Sequence, residues 1–221
     1  MLSLDEDEAL HVAGSAFQQL SLEDHGSAKE VFAALASRWL TVGKPILARY
    51  GHLISNHADD EPQFQQFFEE VPQLLDPLAV LVWPRPDLHG ARRPDFVIKR
   101  ADGSYLIIEI ETPAKQLVTS NLQISAAVTQ AVTQAMQYRL FLLERFGEAN
   151  AFFPEFRDPD CLVVIGLERP LSAEQQRALA LDNEHRQRVR IVGFDWLAER
   201  AERILQNVIS ANVAVRPLRM I

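Results

Sequence analysis

Between positions 95 and 111 two short apolar runs, DFVIK and SYLIIEIE, flank the tetrapeptide RADG. Strand-forming runs joined by so tight a loop must pair antiparallel, and the loop fixes their register. A two-residue Asp102-Gly103 turn would set Asp95 against Ile110, on the wrong face. A three-residue loop, Ala101-Asp102-Gly103 with Gly103 left-handed, sets Lys99 opposite Tyr105, Val97 opposite Ile107 and Asp95 opposite Glu109. The second register is the one expected, with strands near 94–99 and 104–112.

Side chains alternate along a strand, so Glu109 and Glu111 share a face, with Glu111 about 7–8 Å diagonally from Asp95. Like charges about 5 Å apart repel by about 3 kcal/mol at an effective dielectric near 20. A divalent cation such as Mg²⁺ would reverse that sign, and arginines beside it would hold a phosphodiester. Taken by spacing alone, two glutamates two residues apart most often mark a solvated sheet face. Paired carboxylates also suit glycoside hydrolysis, but the basic flank favours phosphate over sugar.

That flank is local. The 221 residues carry 22 basic and 30 acidic side chains, net −8, which argues against a protein that coats nucleic acid non-specifically. Between 85 and 100 the sign reverses, with Arg85, Arg92, Arg93, Lys99 and Arg100 against Asp87 and Asp95. At 48% hydrophobic and 24% charged residues the chain can bury a substantial core. No uninterrupted apolar stretch approaches about 20 residues, so no membrane span is expected. The single cysteine, Cys161, excludes an internal disulfide, and the acidic start MLSLDEDEAL is unlike a signal peptide. A cytoplasmic protein is expected.

Helical periodicity fills roughly the first 60 residues, including a Ser27–Glu30 capping box and Trp39. The segment EPQFQQFFEEVPQLL reads as a short helix with proline in its first turn, and a long helix is expected from Ser120 to Phe146. CLVVIGLE and VRIVGF read as strands, each followed by a helix, the first of these capped by Ser172 and Gln175. The order β-β-α-β-α-β-α predicts an α/β fold, a mixed sheet flanked by helices. Residues 1–60 then form a helical segment and 61–221 the α/β domain. Apolar helical faces in the segment favour a homo-oligomer.

The stretch RRPDFVIKRADGSYLIIEIETP resembles the core of the PD-(D/E)xK nucleases, and QAMQY supplies Gln134 and Tyr138 in the pattern of their QxxxY helix. From FQQFFEEVPQLL to VRIVGFDWLAERAERIL the chain is similar to the nuclease domain of Shedu anti-phage defence proteins. This resemblance implies a restriction-endonuclease-like fold and a Mg²⁺- or Mn²⁺-dependent DNA endonuclease. It makes Asp95 and Glu109 the metal ligands, with the Ile110 carbonyl as a third. It also puts Gln134 at the site, Tyr138 behind it, and Glu69 or Glu70 as an upstream acid. Where the family has lysine this chain has Glu111, and Lys115 stands four residues on to return an ammonium. Glu111 or Lys115 would position or activate the water, while Arg92 and Arg93 hold the DNA backbone. The alternative is a degenerate nuclease fold that binds nucleic acid or a partner protein without cutting.

Other polar residues read more plainly. Gln130 and Gln134 form a polar helix stripe, His52 and His57 surface positions, and Asp195 an N-cap of the last helix. Trp83 and Trp196 are core or interface residues, and Cys161 a small core residue. Arg186, Arg188 and Arg190 alternate on the approach to a strand, a solvated face by default and otherwise a second DNA contact.

Overall fold

RADG closes the hairpin as a three-residue loop. Gly103 takes φ +80°, its amide donates to the Arg100 carbonyl at 3.0 Å, and the Arg100 amide donates to the Ser104 carbonyl at 2.9 Å. The computed structural model describes residues 42–88 and 93–210, with side chains to 206. The Ser27–Glu30 box, Trp39 and Arg92 lie outside these. In chain order the elements are α1 (Lys44–Asn56), α2 (Glu61–Glu70), β1 (Ala79–Pro84), β2 (Phe96–Arg100), β3 (Tyr105–Ile110), α3 (Ala126–Glu144), α4 (Phe146–Phe152), β4 (Asp160–Val164), α5 (Ala173–His185), β5 (Val189–Val192) and α6 (Phe194–Ser210). A 3-10 turn at Pro72–Leu74 follows α2.

The strands form one mixed sheet in the order β1-β2-β3-β4-β5, antiparallel from β1 to β3 and parallel from β3 to β5. Lys99 pairs with Tyr105, Val97 with Ile107 and Phe96 with Ile108, which is the expected register. Two elements escaped the sequence reading. β1 is an edge strand whose register shifts between Ala79 and Leu81, with Val80 and Leu81 exposed, so it shows no period-two burial. The long helix starts at Ala126 rather than Ser120, capped by the Ser125 side chain on the Val128 amide, and breaks at Arg145 before α4.

Both faces of the sheet are covered. On one, Val97, Tyr105, Ile107, Val163 and Ile191 pack with Val128, Ala131 and Ala135 of α3. The other side holds the aromatic group of Tyr50, Phe64, Phe67, Phe68 and Phe194, where the Tyr50 hydroxyl donates to the Phe194 carbonyl at 3.1 Å. β3 is therefore buried at every residue. At the β5 edge Asn183 takes the place of a further strand, accepting from the Ile191 amide at 2.8 Å and donating to its carbonyl at 2.9 Å.

Two contacts set the loops above the parallel strands. Asp195 is not an N-cap. It lies within α6 and accepts from the Glu168 and Arg169 amides at 2.8 and 2.7 Å, clasping the β4–α5 loop to that helix. Gly166 takes φ +64° and donates to the Thr112 carbonyl at 3.0 Å. A Cβ there would stand 2.4 Å from the Lys115 carbonyl oxygen. Gly166→Ala is expected to cost at least about 2 kcal/mol in urea unfolding, because strain and clash add, and to displace the Lys115 loop. A cost below about 0.5 kcal/mol, the range of ordinary surface changes, would contradict that packing.

Candidate active site

The antiparallel ladder between β2 and β3 ends at Phe96 and Ile108. One residue beyond, the Asp95 carboxylate replaces a ladder partner, its Oδ2 accepting from the Ile110 amide at 2.7 Å. This is a side-chain bond, not the alternative register. The Asp95 carbonyl in turn accepts from the Arg85 amide at 2.8 Å, which fixes the start of β2 against the end of β1.

Glu109 lies on the same sheet face as Val97 and Ile107, beneath α3. It is only 7% exposed, and its Oε2 is buried with no hydrogen-bond partner among the described residues. Burial, reinforced by the charges of Asp95, Glu111 and Glu61, pushes its pKa up to about 9. Burial also raises Asp95, to about 6, although the Ile110 amide pulls the other way. Glu111 is 9% exposed. The pair is thus no solvated face.

The third acid is not left bare. Lys115 folds back and forms an ion pair with Glu111, as its spacing allows. The 112–115 loop that carries it is tied to the α1–α2 linker, where the Ala114 amide donates to the Ala58 carbonyl at 3.2 Å. A further acid lies near the pair, Glu61, in the first turn of α2, whose charge acts on both Asp95 and Glu109. Glu69 and Glu70 are engaged elsewhere, Glu69 by Arg85 at 3.0 Å and Glu70 by Arg49 at 2.6 Å. Burial and Glu111 raise the Glu61 pKa, and Lys115 lowers it.

Arg93 is exposed, with Asp87 at 3.7 Å. Arg85 escaped the sequence reading as a site residue. It takes φ +42° at the end of β1, and its charge lowers the Asp95 pKa. Gln134 stands on α3 with its Oε1 buried and without a partner among the described residues. With Thr129, Gln130 and Thr133 it lines a groove of about 770 Å³ that has no charged residue in its wall. Tyr138 is buried in the core one turn further along.

The donor set suits a hard cation. Among the described residues no three of His, Cys, Asp and Glu are grouped to hold a metal. Two carboxylates with one orphaned oxygen match Mg²⁺ or Mn²⁺, which take one or two carboxylates and complete their shell with carbonyl oxygen and water.

The fold is α/β, a mixed five-stranded sheet flanked by helices, with paired acids where its antiparallel ladder opens. The family is narrower than the fold. The family model described as Shedu protein SduA, C-terminal, matches residues 58–198, and the chain belongs to that family. Among solved structures, the EndoMS–dsDNA2 complex is similar at 14% identity and a TM-score of 0.35, over 62% of this chain and 44% of that one. No curated protein matches the chain. Among the described residues no helix is long and apolar enough to cross a membrane.

Proposed function

We propose that the protein is a metal-dependent endonuclease of the Shedu type that cuts DNA in anti-phage defence. The observation that best supports this reading is the buried Glu109, with its unpartnered Oε2, beside an Asp95 fixed by a main-chain amide. Mg²⁺ or Mn²⁺ held by Asp95 and Glu109 would supply Lewis-acid polarisation of a phosphodiester. The chain does the rest. The Ile110 amide holds Asp95 in one orientation, and Lys115 keeps an ammonium beside Glu111 that can hydrogen-bond a phosphate oxygen or orient a water. Gln134 offers an amide from the uncharged groove, whose wall does not repel a polyanion. Arg85 and Arg93 would supply phosphate-binding charge, with Arg92 beside Arg93 in the sequence to add to it.

The test is nicking of plasmid DNA by the full chain with Mg²⁺ or Mn²⁺. EDTA should abolish it, and Glu109→Ala should lower the rate at least about 10³-fold with an unchanged circular dichroism spectrum. Activity that survives Glu109→Ala in a clean preparation overturns the assignment. A second reading, a fold that binds without cutting, is favoured by Glu111 standing where the family's lysine is expected. Metal binding without any cleavage would select it.

A further inference from the structure

On the sheet face opposite Glu109, six arginines and five acids line one groove of about 880 Å³. Arg190 pairs across the sheet with Leu162, and Leu162 with Ile108, so by alternation all three point away from the Glu109 side. The Arg190 guanidinium lies over the Trp196 ring at 4.6 Å, and that of Arg200 lies 4.7 Å from the same ring. Arg100, from the end of β2, lines the groove with them.

The charges of the groove are unevenly committed. Arg100 donates to Asp76 at 2.8 Å, Arg188 to Asp160 at 3.0 Å and Arg169 to Glu199 at 3.1 Å, while Arg186 is held by Asp182. Arg200 donates to the Leu74 and Leu75 carbonyls, both at 2.8 Å. Glu168, the acid whose charge Arg190 offsets, accepts from the Gly193 amide at 2.8 Å, and Glu184 also lines the wall. Arg190 is exposed, and no acidic side chain among the described residues pairs with it. Burial, with the nearby charges of Arg190 and Arg100, pulls the Arg200 pKa down to about 10 against the pull of Asp76.

Asp76 offsets Arg100 and part of the Arg200 charge, which leaves Arg190 as the guanidinium of the three with no ion-pair partner among the described residues. A guanidinium laid flat on an indole keeps its donor fork pre-organised, and that fork matches phosphate. We propose that this groove is a second binding site, which takes a phosphate group through Arg190 with Arg200 and Arg100 supplying further positive charge. The groove's size suits a small phosphorylated ligand. The same chemistry serves a nucleic-acid backbone, and the test separates the two. The site uses neither Asp95 nor Glu109, so it stands apart from the proposed cleavage.

The full chain in EDTA is titrated calorimetrically with pyrophosphate and, separately, with a short single-stranded oligonucleotide. Wild type is expected to bind pyrophosphate, and Arg190→Ala to weaken that binding about 10- to 100-fold. Arg190→Lys, which keeps the charge and loses the fork, should fall between, and Glu109→Gln should bind as wild type does. Dependence on Arg190 with the oligonucleotide alone would support the site and assign the phosphate to a nucleic-acid strand. Wild type that binds neither probe at about 10 mM, near the weak end of specific affinity, would overturn the proposal. So would binding of both that is unchanged in Arg190→Ala.

Discussion

Glu109→Gln is expected to stabilise the metal-free protein above pH 7 and to remove its Mn²⁺ binding. The buried acid has a folded pKa of about 9 against an ordinary value of 4.5. Between those values the folded chain keeps a proton that the unfolded chain has lost. Stability is therefore greatest below the unfolded pKa and falls as pH rises towards 9, by about 1.4 kcal/mol per unit at most. Asp95, raised to about 6, adds to the same slope between 3.8 and 6. Glutamine keeps the shape and cannot ionise, so by pH 9 the variant should exceed wild type by on the order of 3–5 kcal/mol. Urea unfolding of both proteins in EDTA from pH 5 to 9 measures this. Mn²⁺ must displace the Glu109 proton, so wild-type affinity should rise about tenfold per pH unit below 9. Superimposed stability curves, with Mn²⁺ binding retained in Glu109→Gln, would leave no basis for the site.

The second large effect concerns Lys115. Removing one member of a half-buried ion pair leaves the other charge uncompensated. Lys115→Ala would strand Glu111 beside Glu109 and Glu61. The Lys115 side chain is 41% exposed, so solvent screens part of the cost, which should be about 1–3 kcal/mol. Spacing alone predicts that Glu111→Lys stabilises the metal-free protein by relieving two repulsions. The fold alters that expectation, because Lys115 already neutralises Glu111. Glu111→Lys should change stability by less than about 1 kcal/mol, weaken Mn²⁺ binding and keep cleavage. The decisive variant is the double substitution. Glu111→Lys with Lys115→Ala moves the ammonium to the family's position, and it should recover both the stability and the nicking lost in Lys115→Ala alone. A double variant no better than Lys115→Ala would show that the ammonium has no part in either.

The hairpin was legible in the residues themselves. The three-residue loop ending in Gly103 admits one register, which sets Val97 against Ile107 and brings Asp95, just before β2, to the end of β3 that carries Glu109. The Ser172–Gln175 capping box and the proline at the start of α2 are equally local, and both form as read. Period two cannot tell a covered face from a wet one. That Glu109 and Glu111 are buried depends on tertiary packing: α3 packs on the Val97–Ile107 face that Glu109 shares, and Lys115 folds back on Glu111. Glu61 comes near the acids only in the folded chain, where the 112–115 loop also reaches back to the α1–α2 linker. β1 hid because an edge strand with a shifted register buries no regular alternation. Arg190 looked like one of three evenly spaced surface charges. Only when α6 folds back across β5 does Trp196 bring it together with Arg200, because pairing across such separations depends on the packing of the whole sheet and not on local preference.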